Sequence, residues 1–141
     1  MTGASADLPD APATAAAVMR PALTTVEANG HLAAAAYLMK HAGATALVVV
    51  DDEQAARPIG LITDADIAKA VADERDMNDA RVHDLMTTQL TVVTAATSIR
   101  DAAAIMVAGR FRHLPVLDDG VLIGMLDIGD VCQALLDLPA G

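Results

Sequence analysis

Laid against itself, the 141-residue sequence matches at an offset of 67: residues 18–51 align with residues 85–118 without a gap, and 11 of those 34 positions are identical. Self-similarity at a fixed period marks a repeated supersecondary unit, so the chain is constrained to fold as two copies of one small motif. Met19 falls on Met86, Thr24 on Thr91, Val26 on Val93, Met39 on Met106, Leu47 on Leu114, Val49 on Val116 and Asp51 on Asp118. Beyond this stretch the offset drops to 64, because the first copy carries three extra residues before Gly60, which aligns with Gly124, while Asp66 aligns with Asp130. A length change of this kind belongs in a surface turn.

Each copy changes its hydrophobic period in the same order. A short β-like segment (Thr24 to Val26; Thr91 to Val93) precedes a helical stripe, Leu32, Ala35, Ala36, Met39 in one copy and Ile99, Ala102, Ala103, Met106 in the other, at i, i+3, i+4, i+7 spacing. Ser98 followed by Asp101 resembles a capping box at the start of the second stripe. Two strands follow, Leu47 to Val50 and Ile59 to Ile62 in the first copy, Leu114 to Leu117 and Val121 to Leu126 in the second. In the second copy Asp119-Gly120 predicts a two-residue hairpin, because glycine accepts positive φ. A further helix is expected to open at Thr63 and at Asp127. The fold class is therefore α+β, two tandem β-α-β-β-α units, and two units this small are expected to pack together about a pseudo-twofold axis. The expected divisions are an Ala- and Pro-rich disordered tail over 1–17, a first domain over 18–77 and a second over 85–141, separated by a charged linker that begins at Asp73.

Composition excludes several function classes. Nine Lys and Arg against 19 Asp and Glu give a net charge of −10, which repels nucleic acid backbones and anionic membrane surfaces. The single cysteine, Cys132, rules out an intramolecular disulfide and a cysteine-based zinc site, and it suits a cytoplasmic location. In its apolar stretch it is expected to be a packed thiol. No apolar run approaches the roughly 18 residues of a membrane span, and the first 17 residues lack the positively charged start of a secretory signal. His31, His41, His83 and His113 fall on separate elements, so no metal site is expected. With neither a Gly-x-Ser-x-Gly nor a Gly-x-x-x-x-Gly-Lys motif, the chain is not expected to be an enzyme.

The tandem unit, with Met19-Arg20-Pro21 and Met86-Thr87-Thr88 leading into its copies, resembles the cystathionine β-synthase (CBS) domain. The resemblance covers residues 18 to about 138 and is most specific over Arg112 to Gly120 and over Gly60 to Ile67, which fits Gly-h-x-Thr/Ser-x-x-Asp-h, where h is an apolar residue. It implies a paired regulatory module, often a homodimer, that senses an adenosine-containing ligand such as AMP, ADP, ATP or S-adenosylmethionine in a cleft between the repeats. No cofactor is required for that role. Without an attached catalytic domain, its output would pass to a separate effector protein or to the same chain in a dimer. The alternative is a structural protein-interaction module that has lost ligand binding.

Carried onto this sequence, the resemblance gives Asp66 to the two ribose hydroxyls and Thr63 to phosphate beside a helix N-terminus, with Ile62 alongside. The same Thr63 and Asp66 also read as a helix cap needing no ligand. In the second copy Asp130 is retained, but Asp127 stands where the family has Ser or Thr. Asp127 caps a helix as well as Thr does, yet a carboxylate beside a phosphate is repelled by about 1 to 4 kcal/mol. Unequal sites are expected, the second tolerating a neutral adenosine or a cationic sulfonium. Arg110, Arg112 and His113 form the one dense positive patch and are candidates for phosphate contact. Thr45 and Ala46, aligned with Arg112 and His113, give the first copy a small uncharged wall suited to an adenine ring.

Overall fold

A computed structural model describes residues 13–21, 24–53 and 57–139. Within these the elements are α1 (Ala15–Val18), β1 (Thr25–Glu27), α2 (Leu32–Ala42), β2 (Ala46–Val50), β3 (Pro58–Thr63), α3 (Asp64–Ala72), α4 (Val82–Leu85), β4 (Val93–Thr94), α5 (Ile99–Gly109), β5 (His113–Asp118), β6 (Val121–Asp127) and α6 (Ile128–Leu136). The α+β class and the twofold recurrence of β-α-β-β-α are as expected. The chain separates into two compact units: a continuous one, residues 22–91, and a split one made of residues 1–21 and 92–141.

The continuous unit has a three-stranded sheet in the order β1-β2-β3, with β1 parallel to β2 and β2 antiparallel to β3. Strand β2 is buried along its whole length, which is why Ala46 to Val50 reads as an unbroken apolar run rather than an alternation. Leu32, Ala35 and Met39 of α2 pack with Leu47, Val49, Ile62, Ala70, Ala80 and Val82 in one core. Helix α2 ends at Gly43, whose φ of 63° supplies the left-handed turn that closes the helix.

The split unit repeats this plan in the order β4-β5-β6, with Ile99, Ala102 and Met106 of α5 against Leu114, Val116, Leu126 and Val131. Asp119 and Gly120 adopt φ of 53° and 80°, the two positive values of the hairpin expected there. Ser98 caps α5 by accepting from the Asp101 amide at 3.1 Å.

Part of the expected tail is ordered. Residues 1–12 of the expected tail lie outside the described residues, but residues 13–17 are structured. Ala15 is fully buried in the split unit's core, and the Thr14 backbone bridges Ser98. Each Met-containing lead-in also joins the sheet of the other copy. Arg20 exchanges two backbone hydrogen bonds with Met125 on β6, at 2.9 and 3.2 Å, and Thr87 exchanges two with Leu61 on β3, both at 2.9 Å. The close approach needs glycine on the strand. A Cβ on Gly124 would lie 2.5 Å from Met19 Sδ and 2.9 Å from the Arg20 carbonyl, and one on Gly60 would lie 2.8 Å from Met86 Sδ and 3.0 Å from the Thr87 carbonyl.

Cys132 departs from expectation: it is exposed. The buried position of α6 is Val131, and one residue further on the helix has turned by about 100°, out of the core.

Candidate functional site

In each unit the last strand of the sheet runs directly into a helix, and that junction gathers the candidate residues. In the continuous unit Ala46 pairs with Thr63 across β2 and β3, and the Asp64 amide at the start of α3 donates to the Thr45 carbonyl at 2.9 Å. Thr45, Ala46, Thr63 and Asp66 therefore share one corner. Ile62 is different, being fully buried in the core, so its side chain serves packing rather than an open wall.

Thr63 and Asp66 form a reciprocal capping box. The Asp66 amide donates to Thr63 Oγ1 at 3.4 Å, and the Thr63 amide donates to Asp66 Oδ2 at 2.9 Å. The Thr63 hydroxyl also donates to Oδ2, at 3.3 Å. Both bonds to the carboxylate fall on Oδ2, so Oδ1 keeps its acceptor capacity among the described residues. Of the first-turn amides of this nine-residue helix, those of Asp64 and Asp66 are engaged by the Thr45 carbonyl and the Thr63 hydroxyl, and the N-terminal field of the helix favours an anion.

The split unit builds the same corner from different side chains. His113 pairs with Asp127, and the Ile128 amide donates to the Arg112 carbonyl at 2.9 Å, matching the Asp64 to Thr45 bond of the continuous unit. Asp127 caps α6 by accepting from the Gly129 amide at 2.7 Å. Its other oxygen lies 3.6 Å from His113 Nε2, an ion pair whenever that imidazole is protonated. His113 is only 7% exposed and is the one buried polar residue among those described. The positive patch is thus divided, with His113 inside and Arg110 and Arg112 at the surface. Arg110 occupies the left-handed C-cap of α5 at φ 56°, the position that Gly43 holds in α2.

Asp130 does not repeat the capping box of Asp66. Its Oδ2 accepts from Arg20 Nε at 3.0 Å, across 110 residues of sequence. The hydrogen bond to Asp130 and that carboxylate's charge hold the Arg20 guanidinium above the ordinary arginine value, with the charge of Asp127 adding to the effect. Arg20 stands in the Met-Arg-Pro lead-in, and no local signal assigns it a role at this corner. The signal that could have found it lies in the pairing of each lead-in with the other copy's sheet. Among the described residues no group of three or more His, Cys, Asp and Glu could hold a metal ion, and no helix is long and apolar enough to cross a membrane.

Comparison with known proteins sets this geometry among relatives. The family model for the CBS domain matches residues 15–73 and 82–137. An uncharacterized 17.7 kDa protein of Acidianus ambivalens is 41% identical over 114 residues, covering 80% of this chain and 67% of that protein. The chain spans less than half the length of several other curated relatives it matches. Among solved structures, a protein with CBS domains from Burkholderia ambifaria MC40-6 superposes with a TM-score of 0.77 at 36% identity, covering 86% of this chain and 88% of that one. CBSX2 of Arabidopsis thaliana, solved in complex with AMP, superposes with a TM-score of 0.71 at 32% identity, covering 88% and 96%.

Proposed function

Because the chain belongs to the CBS-domain family and carries two copies of the domain, we propose that it is a regulatory ligand-sensing module for an adenine nucleotide or adenosyl ligand. AMP, ADP, ATP and S-adenosylmethionine are the candidates. The observation that carries the proposal is the Thr63–Asp66 corner, an anion-favouring helix start beside a carboxylate with one oxygen available. In this reading Asp66 accepts from the ribose hydroxyls, Thr63 meets phosphate beside the N-terminus of α3, and Thr45 and Ala46 border the base. A solved relative at 32% identity holding AMP supports the ligand class.

The split unit's corner is the less favourable one for phosphate. Asp127 brings a second carboxylate beside Asp130, and the surface arginines Arg110 and Arg112, with His113 behind them, are the cations that offset it. The module is read as a cytoplasmic homodimer that catalyses nothing itself and passes its state to a separate effector protein. Exposed apolar side chains on the helices, Tyr37 on α2 and Val107 on α5 at 60% and 79% exposure, support protein contact there. A second reading, a protein-interaction module without ligand, is favoured by one observation: Asp66 and Asp130 are each already engaged within the chain.

Thermal melts against AMP, ADP, ATP, NAD, adenosine and S-adenosylmethionine test the two. A ligand at 100 times its dissociation constant stabilises by about 2.7 kcal/mol, a shift of several degrees for a chain of this size. A shift much reduced in Asp66→Ala and kept in Asp130→Ala is expected. No shift with any ligand, for the folded protein, establishes the interaction module instead.

A further inference from the structure

The two corners share a backbone plan but differ in what their lead-ins place over them. Arg20 and Thr87 are equivalent: each exchanges two backbone hydrogen bonds with the strand before a motif helix, Arg20 with Met125 and Thr87 with Leu61. In the continuous unit that position is a short neutral side chain, and Asp66 turns back to cap its own helix. In the split unit it is a guanidinium, and Asp130 leaves the cap to bond Arg20 Nε at 3.0 Å. The Arg20 backbone is fixed on β6, and Met19 seats against Gly124, so secondary structure sets the Arg20 backbone within side-chain reach of Asp130.

We propose that Arg20 is a built-in competitor for the ribose-binding carboxylate of the split unit, a clasp that holds one oxygen of Asp130 and weakens ligand binding there. The inference rests on the ligand reading above and deepens it. A ribose diol offers Asp130 two hydroxyl donors, and Oδ2 is already accepting from a charged one. A ribose hydroxyl that approaches Oδ2 of Asp130 therefore competes with a charged donor, whereas the donors at Oδ2 of Asp66 are the neutral amide and hydroxyl of Thr63. The continuous unit is the site that fills first, and the lead-in of the chain sets how much harder the second is to fill. With the Arg20 side chain 62% exposed, the pair is solvent-screened and the penalty modest, so the clasp grades affinity and does not abolish it.

The test is calorimetric titration of adenosine, which carries no phosphate to engage Arg20 directly, into the full chain. Four proteins are compared: the parent, Asp66→Ala, Asp66→Ala with Arg20→Thr, and Asp66→Ala with Arg20→Gln. Arg20→Thr gives the split unit the residue found at the equivalent position of the continuous unit, and thermal melts confirm folding. Both double variants are expected to bind adenosine more tightly than Asp66→Ala, by up to about fivefold, the worth of an exposed ion pair. Added salt is expected to tighten binding to Asp66→Ala and to leave the double variants unchanged, a response that a merely structural arginine would not produce. Equal or weaker binding in both double variants, with the parent still binding at Asp66, overturns the clasp and leaves the ligand reading intact. Absence of adenosine binding from all four overturns both.

Discussion

At the scale of single residues, the two strand glycines carry sharp consequences. Gly124 faces a flexible methionine and a carbonyl fixed by its own pairing with Met125, and only the methionine can yield. Gly124→Ala should lower stability by about 1 to 3 kcal/mol through overpacking, read from urea unfolding, and Gly60→Ala should do the same in the other unit. Thr63→Ala removes the acceptor of the Asp66 amide and should cost about 1 kcal/mol, while Thr63→Ser retains it. The Arg20–Asp130 pair makes a different prediction. Arg20 is raised above its unfolded value, so its contribution is fully present below that value and lost only as pH rises through the higher folded one, beyond the working range. The stability difference between the parent and Arg20→Thr should therefore stay flat from about pH 6 to 9, and a steep dependence in that window would argue against a charged arginine as its source.

At the scale of elements, the equivalent helices α2 and α5 end in the same left-handed turn with different residues. Gly43 adopts it at no steric cost, whereas Arg110 adopts it with a Cβ crowding the following carbonyl, at about 1 to 2 kcal/mol. Arg110→Gly should stabilise the protein by up to about 1 kcal/mol once the added freedom of the unfolded chain is subtracted, a gain measurable by chemical denaturation. If Arg110 meets phosphate in the proposed function, the same variant binds AMP less well while folding better. That opposition separates a strained functional residue from a neutral surface one. The helix stripes, the Asp119-Gly120 hairpin and the caps at Thr63, Ser98 and Asp127 were all legible in the sequence, because each depends on residues within a turn or two of one another. The candidate corner was legible only in part. Thr63 and Asp66 lie three apart, as a cap or a site requires, but the burial of Ile62 and His113 follows from the sheet register, which local pattern does not set.

At the scale of the whole molecule, the units and the repeats are out of phase. Ala80 and Val82 belong to the continuous unit's core, and Met86 and Thr87 cover Gly60, although all four lie beyond residue 77, where the first repeat was expected to stop. A fragment of residues 22–91 should melt cooperatively. A fragment of residues 18–77 should not, since it leaves the outer edge of β3 and part of the core uncovered. Circular dichroism melts of the two fragments decide this, and a cooperative transition in 18–77 would mean that the later segment is dispensable packing.

By itself the sequence determined that there are two copies, what elements each contains and in what order, and which residues cap the helices. Hydrophobic period, turn chemistry and capping are short-range properties, repeated here in two near-copies that corroborate each other. Tertiary structure alone decided that each lead-in joins the other copy's sheet and that Asp130 meets Arg20 while Asp66 caps its own helix. Contacts across 110 residues depend on which strand edge is open and which surface a glycine leaves bare, and those are set only when the sheets have formed.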